Sequence, residues 1–145
     1  MFTTRQAKNT DYNFLFELKK AAEYEPIKAI FGWDETIQQQ IHREEWELAK
    51  PTIIEINGKP AGSYLVQRHD DHIYFGRFFL LPQYQGQGQG IGSQILNDVI
   101  EQAQSASLPI KLIYIKTNRV EKLYLRLGFE VTHQDDQFVH MIKQC

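Results

Sequence analysis

The sequence predicts an α/β fold of the α+β kind, a sheet flanked by helices, and three observations carry that prediction. Apolar residues recur at helical spacing as far as Leu48 and give way to β-rich runs from Thr52. Asn57-Gly58 stands between two of those runs, the strongest short hairpin signal. A glycine-rich stretch, Gln85 to Gly92, then joins a β-rich run to another amphipathic segment. At 145 residues the chain suffices for one domain with a sizeable core, and no linker or repeat interrupts it, so residues 1–145 are read as a single domain.

Each element has its own justification. From Asn9 or Thr10, an N-cap candidate, the residues Phe14, Leu15, Leu18, Ala21 and Ala22 fall on one helical face. Pro26 then marks a connecting segment, Tyr24 to Asp34. Asp34 reads as the N-cap of a second helix, Thr36 to Leu48, whose apolar stripe is Ile37, Ile41, Trp46 and Leu48. Thr52 to Ile56 and Ala61 to Val66 form a hairpin, and His69-Asp70-Asp71 turns the chain into a strand, His72 to Leu81, stopped by Pro82. From Gly90 a helix carries Ile91, Ile95, Leu96, Val99 and Ile100 to about Ser105. Pro109 opens a strand, Ile110 to Lys116, and a short helix, Val120 to Leu127, closes at Gly128. Phe129 to Val131 and Phe138 to Ile142 read as a last antiparallel pair.

Composition narrows the partners. Sixteen Lys plus Arg against eighteen Asp plus Glu leave a net charge of −2, without the basic excess that neutralises phosphate backbones, so no nucleic-acid partner is expected. The one cysteine, Cys145, offers no intrachain disulfide and no thiol cluster for zinc, and no metal is expected. The N-terminus lacks the apolar core of a signal peptide, and the longest purely apolar run, Phe78 to Leu81, is far short of a membrane span. The expectation is a soluble cytoplasmic protein with no membrane partner.

The glycine-rich turn is where chemistry enters. Strand, glycine loop and helix make an anion site, because glycines let backbone N–H groups turn inward while the unpaired amides of the helix start favour phosphate. A flexible linker is the plain alternative. The Walker A loop fails, since Gly92-Ser93 follows without a lysine. The dinucleotide fingerprint fails too, because Ile91 or Ser93 stands where its third glycine belongs.

What remains resembles the GNAT superfamily of acetyl-CoA-dependent N-acetyltransferases, whose loop runs Gln or Arg, two residues, Gly, one residue, Gly or Ala. Gln87-Gly88-Gln89-Gly90-Ile91-Gly92 fits that pattern, and so does Gln85-Gly86-Gln87-Gly88-Gln89-Gly90. The family's spacing from the strand-ending proline is one dipeptide shorter, so this chain carries an extra Gly-Gln unit. A second family signature runs from Ile113 through Asn118 and Tyr124 to Gly128-Phe129. The element order matches over nearly the whole chain, with Phe2 to Gln6 as a short first strand.

The resemblance implies a mixed, mostly antiparallel sheet with one parallel strand pair splayed open, and acetyl-CoA as co-substrate. Transfer to a primary amine, on a small molecule or a protein, would be direct. Gln87, Gly88, Gln89, Gly90, Ile91, Gly92 and Ser93 would hold the pyrophosphate. Backbone groups of Phe79, Leu80 and Leu81 would bond the pantetheine amides and polarise the thioester carbonyl. Asn118 would bond the pantetheine arm as well as capping a helix, and Tyr124 would stabilise the leaving sulfur, its plain alternative being a core aromatic. Tyr24, Phe31 and Trp33 would wall the acceptor pocket, with Arg77 and His72 facing an acidic acceptor. Arg77 stands on the strand where some relatives carry a carboxylate base. The candidates left for that role are Asp34, Glu35, His72 and His140. A CoA-binding sensor without catalysis and a partner-binding domain are the alternatives to an enzyme, and the assembly expected is a monomer or homodimer.

Overall fold

The computed structural model describes residues 2–85, 90–116 and 120–144. In chain order the elements are β1 (Phe2–Gln6), a 3-10 turn (Asn9–Asp11), α1 (Tyr12–Phe31), α2 (Glu35–Leu48), β2 (Thr52–Ile56), β3 (Lys59–Arg68) and β4 (Ile73–Leu80). A second 3-10 turn (Pro82–Tyr84), α3 (Ile91–Ala106), β5 (Ile110–Ile115), α4 (Glu121–Arg126), β6 (Glu130–Gln134) and β7 (Phe138–Lys143) follow. The strands form a seven-stranded sheet in the order β1-β2-β3-β4-β5-β7-β6. Pairing is antiparallel for β1 with β2, β2 with β3, β5 with β7 and β6 with β7, and parallel for β4 with β5. The expected mixed sheet flanked by helices is the one found.

Two compact units make up the fold, and β3 and β4 each run through both. The first holds β1, α1, α2, β2, β3 as far as Leu65 and β4 from Arg77. Its β2–β3 hairpin turns on Asn57 and Gly58 at φ 54° and 76°, the left-handed pair that matches strand twist. Its core gathers Ala7, Leu15, Leu18 and Ile53, with Phe14, Trp46, Phe79 and Leu81 packed on it. An ion-pair knot secures the start of the chain. Arg5 Nη1 and Nη2 donate to the two carboxylate oxygens of Asp11 at 2.7 and 3.0 Å, and Arg5 Nε donates to Glu55 at 2.9 Å. The guanidinium holds the Asp11 carboxyl below its usual range, and the Lys8 amide, 2.7 Å away, adds to the effect.

The second unit holds the start of β4, α3, β5, α4, β6 and β7. Ile91, Ile95, Leu96, Val99, Ile100 and Ala103 of α3 are all buried, the stripe that the sequence predicts. Ile73 lies opposite Ile110 and Tyr74 opposite Lys111, and among the described residues the β4–β5 register stops there. β7 lies between β5 and β6, and the Asp135 carboxylate ties the β6–β7 turn by accepting from the Gln137 and Phe138 amides at 2.7 Å.

Two expectations need correction. Pro26 does not end the first helix, since α1 runs through it to Phe31 and closes at Gly32. Proline removes one N–H and costs roughly 3 kcal/mol inside a helix, but Ile27 beyond it is buried, and that packing outweighs the local preference. The connecting segment is therefore residues 32–34, and Tyr24 and Phe31 belong to α1. The predicted stripe of α2 holds only in part, since Trp46 packs on the core and Ile41 is half-buried while its two ends face solvent. Ile37 and Leu48 are 53% and 81% exposed, whereas Gln38 and His42 are the buried residues.

Candidate functional site

The predicted anion site falls at the N-terminus of α3. Gly90 caps it in the left-handed conformation at φ 64° with no side chain of its own to bond the first amides, and no acidic residue lies in the first turn. The bond from the Gln94 amide to the Gly90 carbonyl, 2.9 Å, closes that turn, so the amides of Ile91, Gly92 and Ser93 lie at its open end. Arg126 of α4 adds a positive charge, its Nη2 donating to Ser93 Oγ at 3.3 Å. Arg126 belongs to no motif in the sequence. Its signal is its place one turn after Lys122 and next to Leu127, on an exposed position of a short helix. Gln87, Gly88, Gln89 and Asn118 lie outside the described residues.

β4 changes conformation at Arg77, a non-glycine residue with φ 49°. Such a backbone costs of order 1–3 kcal/mol and persists only where the surroundings fix it. Here they do. Arg77 Nη1 donates to the carbonyls of Glu45 at 3.1 Å and Ala49 at 2.8 Å, closing the C-terminal end of α2, and Nε lies 3.7 Å from a Glu45 carboxylate oxygen. Ser63 Oγ donates to the Arg77 carbonyl at 3.4 Å. Beyond the break, the Leu81 amide bonds the Ala61 carbonyl at 2.8 Å and Gln85 Nε2 bonds the Leu80 carbonyl at 2.7 Å. Gly62 is needed beside them, because a Cβ there would collide with the Phe79 carbonyl and with Leu80.

Tyr124 sits on α4 and is only 5% exposed. Its ring lies 5.7 Å from that of Tyr114 and 5.8 Å from that of Phe129, which is the packing role. Tyr114 on β5 was not singled out from sequence, although the Ile110, Leu112, Tyr114 alternation places it on the inner face. Its hydroxyl is buried without a hydrogen-bond partner among the described residues, and burial, with the Glu121 carboxylate nearby, pushes its pKa up to about 12. It stays protonated under any working condition.

The corner between α1 and α2 brings together two of the three aromatic residues predicted there. Tyr24 and Trp33 rings lie 5.2 Å apart, with Lys28 Nζ over the first at 5.6 Å and Lys20 Nζ over the second at 5.7 Å. Phe31 is half exposed. Trp33 Nε1 donates to Glu35 at 2.9 Å and Lys20 Nζ at 3.1 Å, which together hold the Glu35 carboxyl below its usual range. Asp34 accepts from the Ile37 amide at 3.0 Å as the N-cap that the sequence predicts. His72 Nδ1 lies 2.6 Å from Asp71 Oδ1, and its ring stacks on His69. His140 stacks on His133 across β6 and β7, ring centroids 3.9 Å apart.

A family model described as an acetyltransferase (GNAT) domain matches residues 49–131, more than half of the chain. The chain belongs to the GNAT acetyltransferase family. It is thus an acyltransferase whose acetyl donor is acetyl-CoA and whose acceptor is an amine. No curated protein matches the chain by sequence. Solved structures share the GNAT fold at low identity. The PaiA N-acetyltransferase of Thermoplasma acidophilum, in complex with coenzyme A, superposes with a TM-score of 0.76 at 16% identity, covering 100% of this chain and 99% of that one. The ribosomal-protein-S18-alanine N-acetyltransferase of Escherichia coli gives 0.69 at 20% identity, covering 99% and 94%. The N-acetylglutamate synthase of Neisseria gonorrhoeae, complexed with coenzyme A and N-acetyl-glutamate, gives 0.65 at 14% identity, covering 99% of this chain and 35% of that one.

Within the GNAT frame the matched region spans β2 to the start of β6 and so includes Phe79 to Leu81, the α3 N-terminus and Tyr124. The α1–α2 corner lies before it.

Proposed function

We propose that this GNAT domain, residues 1–145, acts in the cytoplasm and transfers acetyl directly to a primary amine carried by a small molecule or a protein. The observation that carries the reading is the open N-terminus of α3, with Gly90 as its cap, free of acidic residues in its first turn and attended by Arg126. In this reading the amides of Ile91 to Ser93, with Gln87 to Gly90 before them, hold the pyrophosphate, and Arg126 adds a charge-assisted contact. The Leu81 amide is bonded to Ala61 and the Leu80 carbonyl to Gln85, so it is the other backbone groups of Phe79 to Leu81 that meet the pantetheine amides and the thioester carbonyl, and Asn118 bonds the pantetheine arm. The strain at Arg77 and the absence of a side chain at Gly62 support that assignment, since both shape the backbone on which Phe79 sits. Arg77 itself acts by closing α2 rather than by meeting the acceptor. Tyr24, Phe31 and Trp33 form the acceptor's aromatic wall, and no described helix is long and apolar enough to cross a membrane.

Tyr124 hydrogen-bonds the sulfur as the thioester breaks. Phenol and thiol have reference pKa values of about 10 and 8.5, so stabilisation of the leaving thiolate, not full proton transfer, is its main contribution. Calorimetry with acetyl-CoA, followed by thiol release against a panel of amines and amino-terminal peptides, tests the proposal. Binding and amine-dependent thiol release are expected, and a chain that binds no CoA overturns it. Tyr124→Phe should keep acetyl-CoA affinity and lose roughly ten-fold to a thousand-fold in turnover. Unchanged turnover in the folded variant would leave Tyr124 only its packing role.

A further inference from the structure

Attack on the thioester requires a neutral amine, so a base must take a proton from the acceptor ammonium. The side chains that the sequence offers for this are engaged otherwise: Asp34 caps α2, Glu35 is held by Trp33 and Lys20, His72 by Asp71, and His140 is stacked on His133. His42 is different. It is buried on the inner face of α2, its ring 4.5 Å from that of Tyr12 and 5.5 Å from that of Phe16. Its Nε2 lies 2.9 Å from the Tyr12 carbonyl, which can only accept, so the proton is on Nε2 and the lone pair is on Nδ1.

The same ring lines a cavity of about 30 Å³ together with Lys19, Glu45, Ser63, Arg77 and Phe79. That volume exceeds the roughly 10–15 Å³ one water needs, and the polar groups of Lys19, His42, Glu45, Ser63 and Arg77 offer it partners within walls otherwise made by Leu15, Trp46, Pro51 and Phe79. Phe79 links the cavity to the chemistry, because its side chain forms part of the wall while its backbone belongs to the segment assigned above to the acyl group.

We infer that His42 is the proton acceptor of the reaction, reached through a water held in this cavity. The inference rests on the direct transfer proposed above. The water takes one proton from the ammonium while giving one of its own to Nδ1 of His42. The amine lone pair then forms the C–N bond to the thioester carbon, and the C–S bond breaks with its electron pair leaving on sulfur. The second nitrogen proton is matched by the one that sulfur gains as thiol, so one proton is released per turnover, through His42 to solvent.

The charged groups around the ring are Lys19 on α1, Glu45 on α2 and Arg77 on β4. Burial and the two cations hold the His42 pKa below its ordinary value, while the Tyr12 carbonyl and Glu45 pull the other way. The imidazole is therefore neutral and ready to accept near neutral pH.

His42→Gln isolates the role, because the glutamine amide can still donate to the Tyr12 carbonyl but has no basic nitrogen. We expect unchanged acetyl-CoA affinity, a fall in turnover of about 100-fold or more, and loss of the acidic limb of the kcat/KM profile. Lys19→Gln should move the wild-type limb to higher pH and Glu45→Gln to lower pH, which decides the matter even if His42→Gln fails to fold. Wild-type turnover with an unmoved limb in His42→Gln overturns the inference, as does a limb that Lys19→Gln and Glu45→Gln do not move in opposite directions. A wild-type protein that acetylates no amine overturns instead the function on which the inference rests.

Discussion

Two helices of similar length, α2 and α3, solve burial in opposite ways. α3 turns six aliphatic residues inward, and its hydrophobic pattern is its packing pattern. α2 turns Gln38 and His42 inward and leaves Ile37 and Leu48 to solvent. A polar inner face is costly unless its groups are bonded. Gln38 Oε1 is buried without a partner among the described residues, but His42 meets the Tyr12 carbonyl, Glu45 lies between Lys19 and Arg77, and Arg77 in turn closes the end of the helix. The difference teaches that α3 is held by area and α2 by particular partners together with Trp46, and the second arrangement leaves room for the cavity beside His42.

The sharpest way to break the comparison is to cut each helix at its own support. Leu96→Ala removes a fully buried side chain from α3 and should cost about 3 kcal/mol, read by urea denaturation, with little collapse to offset the cavity. Arg77→Met should cost about 2 kcal/mol by leaving the Ala49 carbonyl without this donor and the Glu45 carbonyl with the Ala49 amide alone. Its signature would be faster amide exchange in the last turn of α2, with α3 unaffected. Equal loosening of both helices would contradict separate modes of support.

The contrast also explains what was legible. The β2–β3 hairpin, the α3 stripe and the Gly90 start could be read directly because each rests on local rules, the left-handed turn pair and the helical period. α2 misled in part: Trp46 packs on the core as its spacing predicts, but Ile37, Ile41 and Leu48 satisfy the same period one residue out of phase with the buried Gln38 and His42. Nothing local reveals that Arg77, 32 residues after Glu45, will reach the end of that helix. Pro26 misled for a related reason, since Ile27 packs beyond it. His42, Tyr114 and Arg126 are single residues without a motif, and only the tertiary structure gives them neighbours.

A milder test uses the polar support at the chain's start. Asp11→Asn should cost about 1–2 kcal/mol at pH 7, because Arg5 loses a carboxylate partner but keeps Glu55. The sign with pH follows from the carboxyl being held low in the folded state. Its contribution is complete above the unfolded value of about 3.9 and is lost as pH falls through the lower folded value. The stability gap between wild type and Asp11→Asn, measured by urea titration, should therefore close below about pH 4 and stay constant from pH 5 to 8. A gap that persists at pH 2 would mean that Asp11 acts through shape rather than charge.

The smallest expected effect is the most direct test of the rotated face of α2. Ile37→Gln and Leu48→Gln place polar groups where the sequence pattern expects core. If those positions faced inward, each change would bury an unsatisfied amide and lose aliphatic packing, at a cost of 2 kcal/mol or more. Both side chains are more than half exposed, however, so each change should stay within about 0.5 kcal/mol. Ile37 is the third helical residue after the Asp34 cap, and a glutamine there can reach back to the cap's own amide, which makes a slight gain the expected direction at that position. Helix propensity points the same way, since glutamine is a better helix former than isoleucine. Thermal unfolding of the double variant at or above the wild-type midpoint would establish the polar face of α2 as its inner one, and a fall of many degrees would return that role to the aliphatic stripe.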